Sequence, residues 1–567
     1  MRHSRYDRIL ASTALALTVA VPFGSMLTDP VQLAAAPPAG KPSEQALMAT
    51  EPATPLNPAS ALPANEPSAA AAGVSSPEPA AAAEQTAIAD LLASLDPADR
   101  AIAEKLRDLL ATKADRLFAS KSERAAVVAF YESRNLAPLW LEKGIANARA
   151  DSAIARIKAA DTDGLDPTDY KAPNFTAVGP DALAEAELKL TRTVLTYARH
   201  VQAGRFPYTR VSRNIELPQA APEPADVLSR VANAADAGQA LDGFSPQHEP
   251  YRKLKAMLAE LRGRSGPARS EASRQIEIVV ANMERWRWYP RDLGDAHVLV
   301  NQPDFTLRVM HGGAQVWTTR IVIGKPSMPT PLLSETMKYI TVNPTWHVPP
   351  SIVHNEYLPA LAQDPTVLAR MGLHVSYSGG EVQITMPPGD GNALGRIRFN
   401  FPNRFSVYQH DTPDKYLFAQ DVRAYSHGCM RVQDPAKYAE VLLNIARPRE
   451  HWTAERIRSL FGRGEQDLQL QPAPIWVHLT YQTAFVDSAG KLQLRRDIYN
   501  LDSRTLAAIR SEHGTVDSVP ERRREPEIAS GVGSSRPARG PRPAVQSMTY
   551  DTRSYFFRPL TLQPIYR

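Results

Sequence analysis

Cysteine is almost absent from this sequence, and that scarcity limits what its single thiol can be. The 567 residues include one cysteine, Cys429, so no disulfide can form within the chain. In an exported protein an unpaired thiol is a chemical liability, which favours a functional role over a passive one. The alternative is a buried cysteine that packs as a small hydrophobe, the commonest fate of free cysteines. The polar, glycine-containing surroundings favour a nucleophile.

Those surroundings, residues 426–431 (SHGCMR), hold the groups that a cysteine nucleophile needs. Gly428 permits backbone conformations in which N–H donors converge beside the sulfur. His427 and, further upstream, His410 could each supply a base. Arg431 adds a fixed positive charge, from which we expect a stabilised thiolate.

Long hydrophobic runs are also missing, apart from one near the N-terminus. Residues 9–23 form an apolar stretch of 15 residues, short of the roughly 20 that a membrane-spanning helix needs. Arg2, Arg5 and Arg8 precede the stretch, and small alanines at 34–36 follow it. This order is typical of a secretory signal. We therefore expect a signal peptide at 1–36 and a periplasmic location, with an uncleaved inner-membrane anchor as the alternative.

Two segments have few large apolar residues. Residues 37–87 are rich in alanine and proline, and residues 503–567 are rich in arginine, proline and small polar residues. Such segments cannot bury enough surface to offset the entropy lost on ordering. We predict a disordered linker at 37–87 and a disordered tail at 503–567.

The sequence also lacks the patterns of two common ligand classes. Its net charge is +5 and no basic stripe alternates with aromatic residues, so nucleic-acid binding is not expected. His347, His354 and His374 do not follow the HxxxH or HExxH spacing of zinc sites. We expect no metal and no other cofactor.

In the remaining sequence the spacing of apolar residues changes near residue 290, from a helical pattern to a strand pattern. Capping residues and apolar side chains at helical spacing predict a helical domain over 88–290. Short alternating or β-branched runs predict a mainly β catalytic domain over 296–453, with a helix-like insertion at 357–371 as a lid. Residues 454–502 are predicted to be a C-terminal extension in which 474–481 and 491–494 pair as a hairpin. The fold class is thus α+β: a mainly helical N-terminal scaffold, a mainly β catalytic domain and disordered tails.

Several ordered motifs resemble those of one enzyme family. Residues 410–412 (HDT) followed by 426–432 (SHGCMRV) closely resemble the signature of YkuD-type L,D-transpeptidases. Further pieces are similar to the YcbB-like subgroup, at 324–326 (GKP), 343–349 (NPTWHVP), 392–395 (NALG) and 481–487 (YQTAFVD). The helical region resembles that subgroup's scaffold at 130–131 (FY), 138–140 (PLW) and 163–167 (DGLDP). Between the scaffold and the β-domain, where larger relatives often carry a peptidoglycan-binding repeat module, the sequence shows no such module, which is a departure from the subgroup's pattern.

The resemblance implies roles for the residues near Cys429. Cys429 would be the nucleophile and His410 the general acid and base, in preference to His427. The backbone N–H groups of His427, Gly428 and Cys429 would form the oxyanion hole. The other residues expected to bind substrate or shape its groove are Ser426, Arg431, Tyr408, Trp346 and Asn392. Structural roles remain open for Arg431, for the two aromatic residues, which could pack in the core, and for Asn392, which could shape a turn.

The resemblance also implies a reaction and its partners. The family attacks the carbonyl that precedes the terminal D-alanine of a peptidoglycan tetrapeptide stem, forms a thioester and transfers the acyl group to an acceptor stem. The expected function is therefore 3→3 cross-linking, with peptidoglycan stems as donor and acceptor and with a monomeric enzyme. The alternatives are attachment of an envelope protein to peptidoglycan, hydrolysis by water, or a non-catalytic envelope scaffold.

Overall fold

The computed structural model describes residues 95–176, 179–266, 268–379 and 381–511. The predicted signal peptide at 1–36, the predicted linker at 37–87 and the part of the predicted tail beyond 511 lie outside the described residues. Among the helices that the structure describes, none is both long and apolar enough to cross a membrane.

The N-terminal part is helical, as predicted. Asp96 caps the first helix by accepting a hydrogen bond from the Ala98 N–H (2.9 Å), and Ser120 caps the second at the Glu123 N–H (3.0 Å). These caps satisfy amide groups that a helix end leaves without partners. The helices are α1 (Pro97–Leu117), α2 (Lys121–Ser133), α3 (Ala148–Lys158), α4 (Pro180–Ala203), α5 (Pro224–Asn233), α6 (Ala237–Asp242), α7 (Glu249–Arg262) and α8 (Ala268–Trp286).

A buried carboxylate joins two of the scaffold motifs. Glu187 of α4 accepts hydrogen bonds from the Tyr131 hydroxyl (2.8 Å) and from the backbone N–H groups of Leu139 (2.5 Å) and Trp140 (3.1 Å). Burial raises the pKa of Glu187 to about 7, although these donors oppose the shift. The sequence motifs at 130–131 and 138–140 therefore meet around one side chain of α4.

Strands β1 (Leu141–Glu142) and β2 (Ile145–Ala146) pair with each other in the helical part. The main sheet contains strands from the helical part, the catalytic region and the C-terminal extension. Its path runs β16-β8-β12-β13-β15-β6-β5-β4-β17-β7-β3, and β14 pairs with β6. Because β7 and β8 lie near opposite ends of this path and are joined by Lys338 alone, the sheet folds back on itself. The strands are β3 (Ile215–Glu216), β4 (Ala296–Asn301), β5 (Thr306–His311), β6 (Ala314–Gly324), β7 (Leu332–Met337), β8 (Tyr339–Val342), β12 (Ile397–Asn400), β13 (Gln409–His410), β14 (Ala424–Ser426), β15 (Met430–Val432), β16 (Gln466–Gln469) and β17 (Ile475–Thr480).

The later part of the scaffold shares a core with the sheet, whereas α1 to α6 enclose a separate cluster that includes Ile102, Tyr131 and Leu228. One continuous cluster of buried side chains includes Phe206 beyond α4, Trp286 of α8 and Val298 of β4. Helices α12 (Pro435–Ala446) and α13 (Ala454–Arg458) follow β15, and Tyr438 and Leu442 of α12 pack in the same cluster. The predicted boundaries at 290, 296 and 453 stay predictions, but no break in the packing marks them.

The predicted C-terminal hairpin is wrong in its pairing. Strand β17 lies inside the main sheet, parallel to β4 and antiparallel to β7. The hairpin consists instead of β18 (Ala484–Val486) and β19 (Leu492–Leu494). The reason is burial: β17 is buried at nearly every position, which is typical of a central strand rather than of a two-stranded surface hairpin.

The predicted tail also begins too early. Helix α14 (Leu501–Ser511) continues past the predicted start at 503. Leu501, Thr505 and Ala508 recur at helical spacing on its buried face. The tail prediction is therefore corrected for residues 503–511.

The predicted lid is a small subdomain inserted between β8 and β12. Its helical part consists of α9 (Pro350–Ile352), a π-helical turn (Val353–Tyr357), α10 (Leu358–Gln363) and α11 (Val367–Arg370). These lie against a three-stranded sheet of β9 (Trp346–His347), β10 (His374–Ser378) and β11 (Glu381–Met386). The lid has a hydrophobic cluster of its own, which includes Trp346, Ile352, Leu368 and Ile384.

Candidate active site

Three adjacent strands present one polar face of the main sheet. In register, Arg398 of β12 lies opposite His410 of β13, and His410 lies beside Arg431 of β15. Alternate residues of a strand point to opposite faces. Tyr408 and Cys429, each two residues earlier than His410 and Arg431, therefore share this face, and Tyr408 is among the groups that shift the pKa of the Cys429 thiol.

His410 is held in one orientation by the backbone. Its Nδ1 lies 2.5 Å from the carbonyl oxygen of Asp411, which fixes the proton on Nδ1 and leaves Nε2 with a lone pair. Burial lowers the pKa of His410 to about 3, and the charge of Arg431 adds to the shift. The imidazole is thus neutral and can accept a proton. The group that orients it is a carbonyl rather than a third side chain.

The thiol of Cys429 is neutral as well, which corrects the expected thiolate. Burial raises the pKa of Cys429 to about 11. Tyr408 hydrogen bonds and the charges of Arg398 and Arg431 lower that pKa, but burial outweighs them. Arg431 acts in the expected direction, yet its Nη1 also lies 2.8 Å from Oδ2 of Asp414, which offsets part of its charge.

The loop before Cys429 is held by a threonine and a tyrosine. The Thr330 hydroxyl donates to the Gly428 carbonyl (2.7 Å) and accepts from the Gly324 N–H (2.9 Å). The Tyr499 hydroxyl donates to the Gly324 carbonyl (2.6 Å). A Cβ atom on Gly324 would lie 3.0 Å from the Gly428 Cα and 2.2 Å from the Met328 carbonyl oxygen. Glycine is therefore required at 324 for the two segments to approach.

The same loop leaves amide groups available for a ligand. Gly428 adopts a φ of +114°, a conformation that favours glycine. Among the hydrogen bonds within the described residues, none uses the backbone N–H of His427, Gly428 or Cys429. Free N–H groups beside a nucleophile can stabilise an oxyanion.

His427 points away from this face, toward the lid. Its Nε2 lies 2.7 Å from Oε1 of Glu356 in the π-helical turn and 3.3 Å from Nζ of Lys325. Lys325 Nζ in turn lies 3.8 Å from the same carboxylate oxygen. The structure thus assigns the side chain of His427 to a contact between the active-site loop and the lid.

Three other predicted residues have mainly structural contacts. Asn392 is 1% exposed, and its amide bonds the backbone of Pro344, Met386, Pro387 and Leu394. These contacts agree with the turn-shaping role that the sequence left open for Asn392, and its predicted contact with substrate stays a prediction. Trp346 packs in the lid cluster, against which Tyr408 also packs. Ser426 is buried at the end of β14, and its carbonyl accepts from the Lys325 N–H (2.8 Å).

Sequence reasoning missed four residues around the site. They are Arg398 on the polar face, Thr330 under the loop, Glu356 in the lid and Asp411, whose carbonyl orients His410. Asp411 and Thr330 lie within or beside motifs that drew attention for other residues. Arg398 carried no signal, because its place beside His410 depends on strand register.

Two family models match the chain. Residues 125–258 match the model described as "Scaffold domain", and residues 295–450 match the model described as "L,D-transpeptidase catalytic domain". The second match contains the whole polar face and the loop, and the first lies within α2 to α7.

Individual proteins are more distant. A Haemophilus influenzae protein, provisionally named an L,D-transpeptidase, is 26% identical over 409 residues, which cover 66% of this chain and 77% of that protein. Among solved structures, a Mycobacterium smegmatis L,D-transpeptidase is 15% identical over 32% of this chain and 58% of its own, with a TM-score of 0.16. A cysteine-to-serine variant of the Enterococcus faecium L,D-transpeptidase is 13% identical over 38% and 65%, with a TM-score of 0.15. The chain spans about three fifths of those two structures, and such TM-scores carry no structural argument.

Proposed function

This chain is an L,D-transpeptidase with a YkuD-type catalytic domain and the scaffold domain of the YcbB-like architecture, and we propose that it cross-links peptidoglycan stems in the periplasm. The donor is a tetrapeptide stem, the bond formed is a 3→3 cross-link, and D-alanine is released. The observation that carries the proposal is the shared face of Cys429 and an oriented, neutral His410.

The first half of the reaction acylates the cysteine. His410 Nε2 takes the proton of the Cys429 thiol as the sulfur attacks the carbonyl carbon that precedes the terminal D-alanine. The carbonyl oxygen becomes an oxyanion, and the free N–H groups around Gly428 and Cys429 stabilise it. The carbon–nitrogen bond then breaks, the imidazolium protonates the leaving amine, and D-alanine departs from a thioester.

The second half transfers the acyl group. An amine of a second stem attacks the thioester carbonyl while His410 removes its proton. The carbon–sulfur bond breaks, and the proton returns from His410 to the Cys429 sulfur. The reaction needs no cofactor, because the peptide bond to D-alanine is broken and a peptide bond to the acceptor amine is formed.

The pKa values support a proton transfer coupled to attack. The pKa of the thiol is about 11 and that of the imidazole about 3, so both groups are neutral around pH 7. A resting thiolate–imidazolium pair is therefore unfavourable here. Deprotonation by His410 has to accompany bond formation, which requires the base to be positioned beforehand.

The test is incubation of the purified protein with tetrapeptide muropeptides. We expect free D-alanine, an acyl-enzyme on Cys429 and a cross-linked dimer by mass spectrometry, and Cys429→Ala should abolish all three. Neither acyl-enzyme nor dimer from the wild type would contradict the proposal. Loss of D-alanine without cross-linking indicates hydrolysis, and a muropeptide adduct on an added envelope protein indicates attachment.

The roles of the two histidines can be separated in the same assay. His410→Ala should prevent acylation, because no other base shares its face. His427→Ala should retain part of it, because that side chain contacts Glu356 of the lid. The reverse order would overturn the assignment. The periplasmic location rests on residues 1–36 of the sequence and is tested by cell fractionation.

A further inference from the structure

Arg398 is a cation in the active site that forms no ion pair with any of the described residues. It is only partly exposed, its Nε is buried without a hydrogen-bond partner, and no carboxylate of the described residues lies within ion-pair distance. A guanidinium in that position is costly unless a partner compensates it. The other cations around the loop have partners: Lys325 pairs with Glu356, Arg431 with Asp414 and Lys415 with Asp411.

Arg398 also lies where a substrate would pass. Its position on β12 is in register with His410. Its guanidinium carbon lies 5.7 Å from the ring centroid of Tyr408, a residue whose pKa is raised mainly by burial and also by Cys429. The backbone of Arg398 therefore lies opposite His410, while its side chain extends along the polar face toward Tyr408 and Cys429. Its charge is felt at both catalytic groups, since it lowers the pKa of each.

We propose that Arg398 binds the α-carboxylate of the terminal D-alanine of the donor stem. The inference rests on the proposed function, because it names a contact of that substrate. In a peptide the carboxylate carbon lies within about 4 Å of the preceding carbonyl carbon, so a stem attacked by Cys429 brings its carboxylate onto this same face. A guanidinium suits a carboxylate because its N–H groups form a matching fork.

The contact gives the enzyme a measure of stem length. A stem with one more residue would place its carboxylate about 3.8 Å further along the chain. A stem without the terminal residue has no bond to break, and its carboxylate would lie at the position of the attacked carbonyl instead of beside Arg398. Arg398 thus acts as a specificity-determining residue for donors that end one residue beyond the attacked carbonyl.

The experiment measures binding without turnover, by calorimetry on the full chain carrying Cys429→Ala. Three synthetic tetrapeptides are compared: the free acid, the C-terminal amide, and a peptide amidated at the side-chain carboxylate of its third residue. Hydrogen bonds to charged groups contribute enough that the terminal amide should bind about 10–100-fold more weakly than the acid. The side-chain amide should bind like the acid. A loss at the side chain and not at the terminus would overturn the assignment.

Substitutions of Arg398 test whether this residue causes the difference between the acid and the amide. Arg398→Gln should bind the free acid as weakly as the terminal amide, with no further loss for the amide, and Arg398→Lys should recover part of the difference. Equal losses for acid and amide in Arg398→Gln would mean that the residue supports the fold and not the carboxylate. The comparison of acid and amide in the Cys429→Ala protein, where Arg398 is intact, does not depend on the folding of any Arg398 variant. Absent turnover by the wild type would contradict the proposed function and leave this binding difference standing.

Discussion

His427 Nε2 lies 2.7 Å from Oε1 of Glu356, and this contact joins the active-site loop to the lid. Lys325, the residue that follows β6, approaches the same carboxylate. All three side chains are about one third exposed, so solvent screens the interaction. Partly exposed pairs of this kind contribute about 0.2–1 kcal/mol, which is enough to bias a lid without locking it.

Glu356→Gln should therefore loosen the lid. The amide keeps the shape of the side chain but removes its charge, so the lid should open about 2–5-fold more readily. The measurement is hydrogen exchange of the backbone amides in Val353–Tyr357. Glu381→Gln, the same change on a lid strand where no ion pair involves the carboxylate among the described residues, serves as the matched control. Equal exchange in both variants would contradict the role of the contact.

The two catalytic pKa values predict an unusual pH dependence. Because burial holds the pKa of His410 near 3 and that of Cys429 near 11, the reactive neutral pair persists between those values. The acylation rate constant should be nearly flat from about pH 5 to pH 9, and it should fall as His410 gains a proton in acid. Stopped-flow acylation by a tetrapeptide across this range is the measurement.

Alkylation by iodoacetamide provides the control, since it requires the thiolate. Its rate should keep rising with pH toward the thiol pKa of about 11. In His410→Ala the same rise should persist while acylation disappears. A plateau of alkylation already at neutral pH would show a stabilised thiolate and contradict the neutral pair.

Much of the architecture could be predicted from local sequence patterns. The predictions that were wrong share one physical cause. Capping residues and helical spacing act within a few residues, so the scaffold helices were predicted from them. The pairing of β17 depends on β4 and β7, which are distant in sequence. The apolar sequence of β17 predicts a buried strand but does not indicate which strands pair with it. The same holds for the helix at 501–511, whose helical face becomes apparent only against the buried surface it covers.

The candidate site divides in the same way. Cys429 and His410 could be selected because their chemistry is encoded in residue type and motif. Arg398 could not, because Arg396 two residues earlier carries the same signal and instead pairs with exposed Asp390. Only the register of β12 against β13 separates the two arginines. The partner of His427 was equally hidden, since Glu356 lies 71 residues away in the sequence.

Thr330→Val should damage the loop while preserving the volume of the side chain. The valine leaves the Gly324 N–H and the Gly428 carbonyl without the partners that the hydroxyl provides. Unsatisfied buried groups cost about 1–3 kcal/mol each, so we expect a loss of about 2–4 kcal/mol in the free energy of unfolding and at least a tenfold slower acylation. Thr330→Ser keeps the hydroxyl and should stay near wild type. If Thr330→Val keeps the wild-type free energy of unfolding and the wild-type acylation rate, the Thr330 hydroxyl does not hold the loop in place.

The last prediction concerns the buried junction between scaffold helix α8 and the C-terminal helix α14. Arg285 is fully buried, and its Nη2 lies 2.7 Å from Oδ1 of Asp502. Removing one partner of a buried pair leaves a charge uncompensated, which costs about 3–5 kcal/mol. Asp502→Ala should therefore lower the free energy of unfolding by that amount, as measured by urea denaturation.

The same two helices provide the control for this change. Arg510 and Glu277 also pair at 2.7 Å, but both side chains are more than half exposed. Arg510→Ala should change the free energy of unfolding by less than about 1 kcal/mol, because solvent already screens that pair. A small effect of Asp502→Ala, comparable to that of Arg510→Ala, would show that water or another acceptor compensates Arg285. A large one establishes that Asp502, at the start of α14, ties the C-terminal helix to scaffold helix α8.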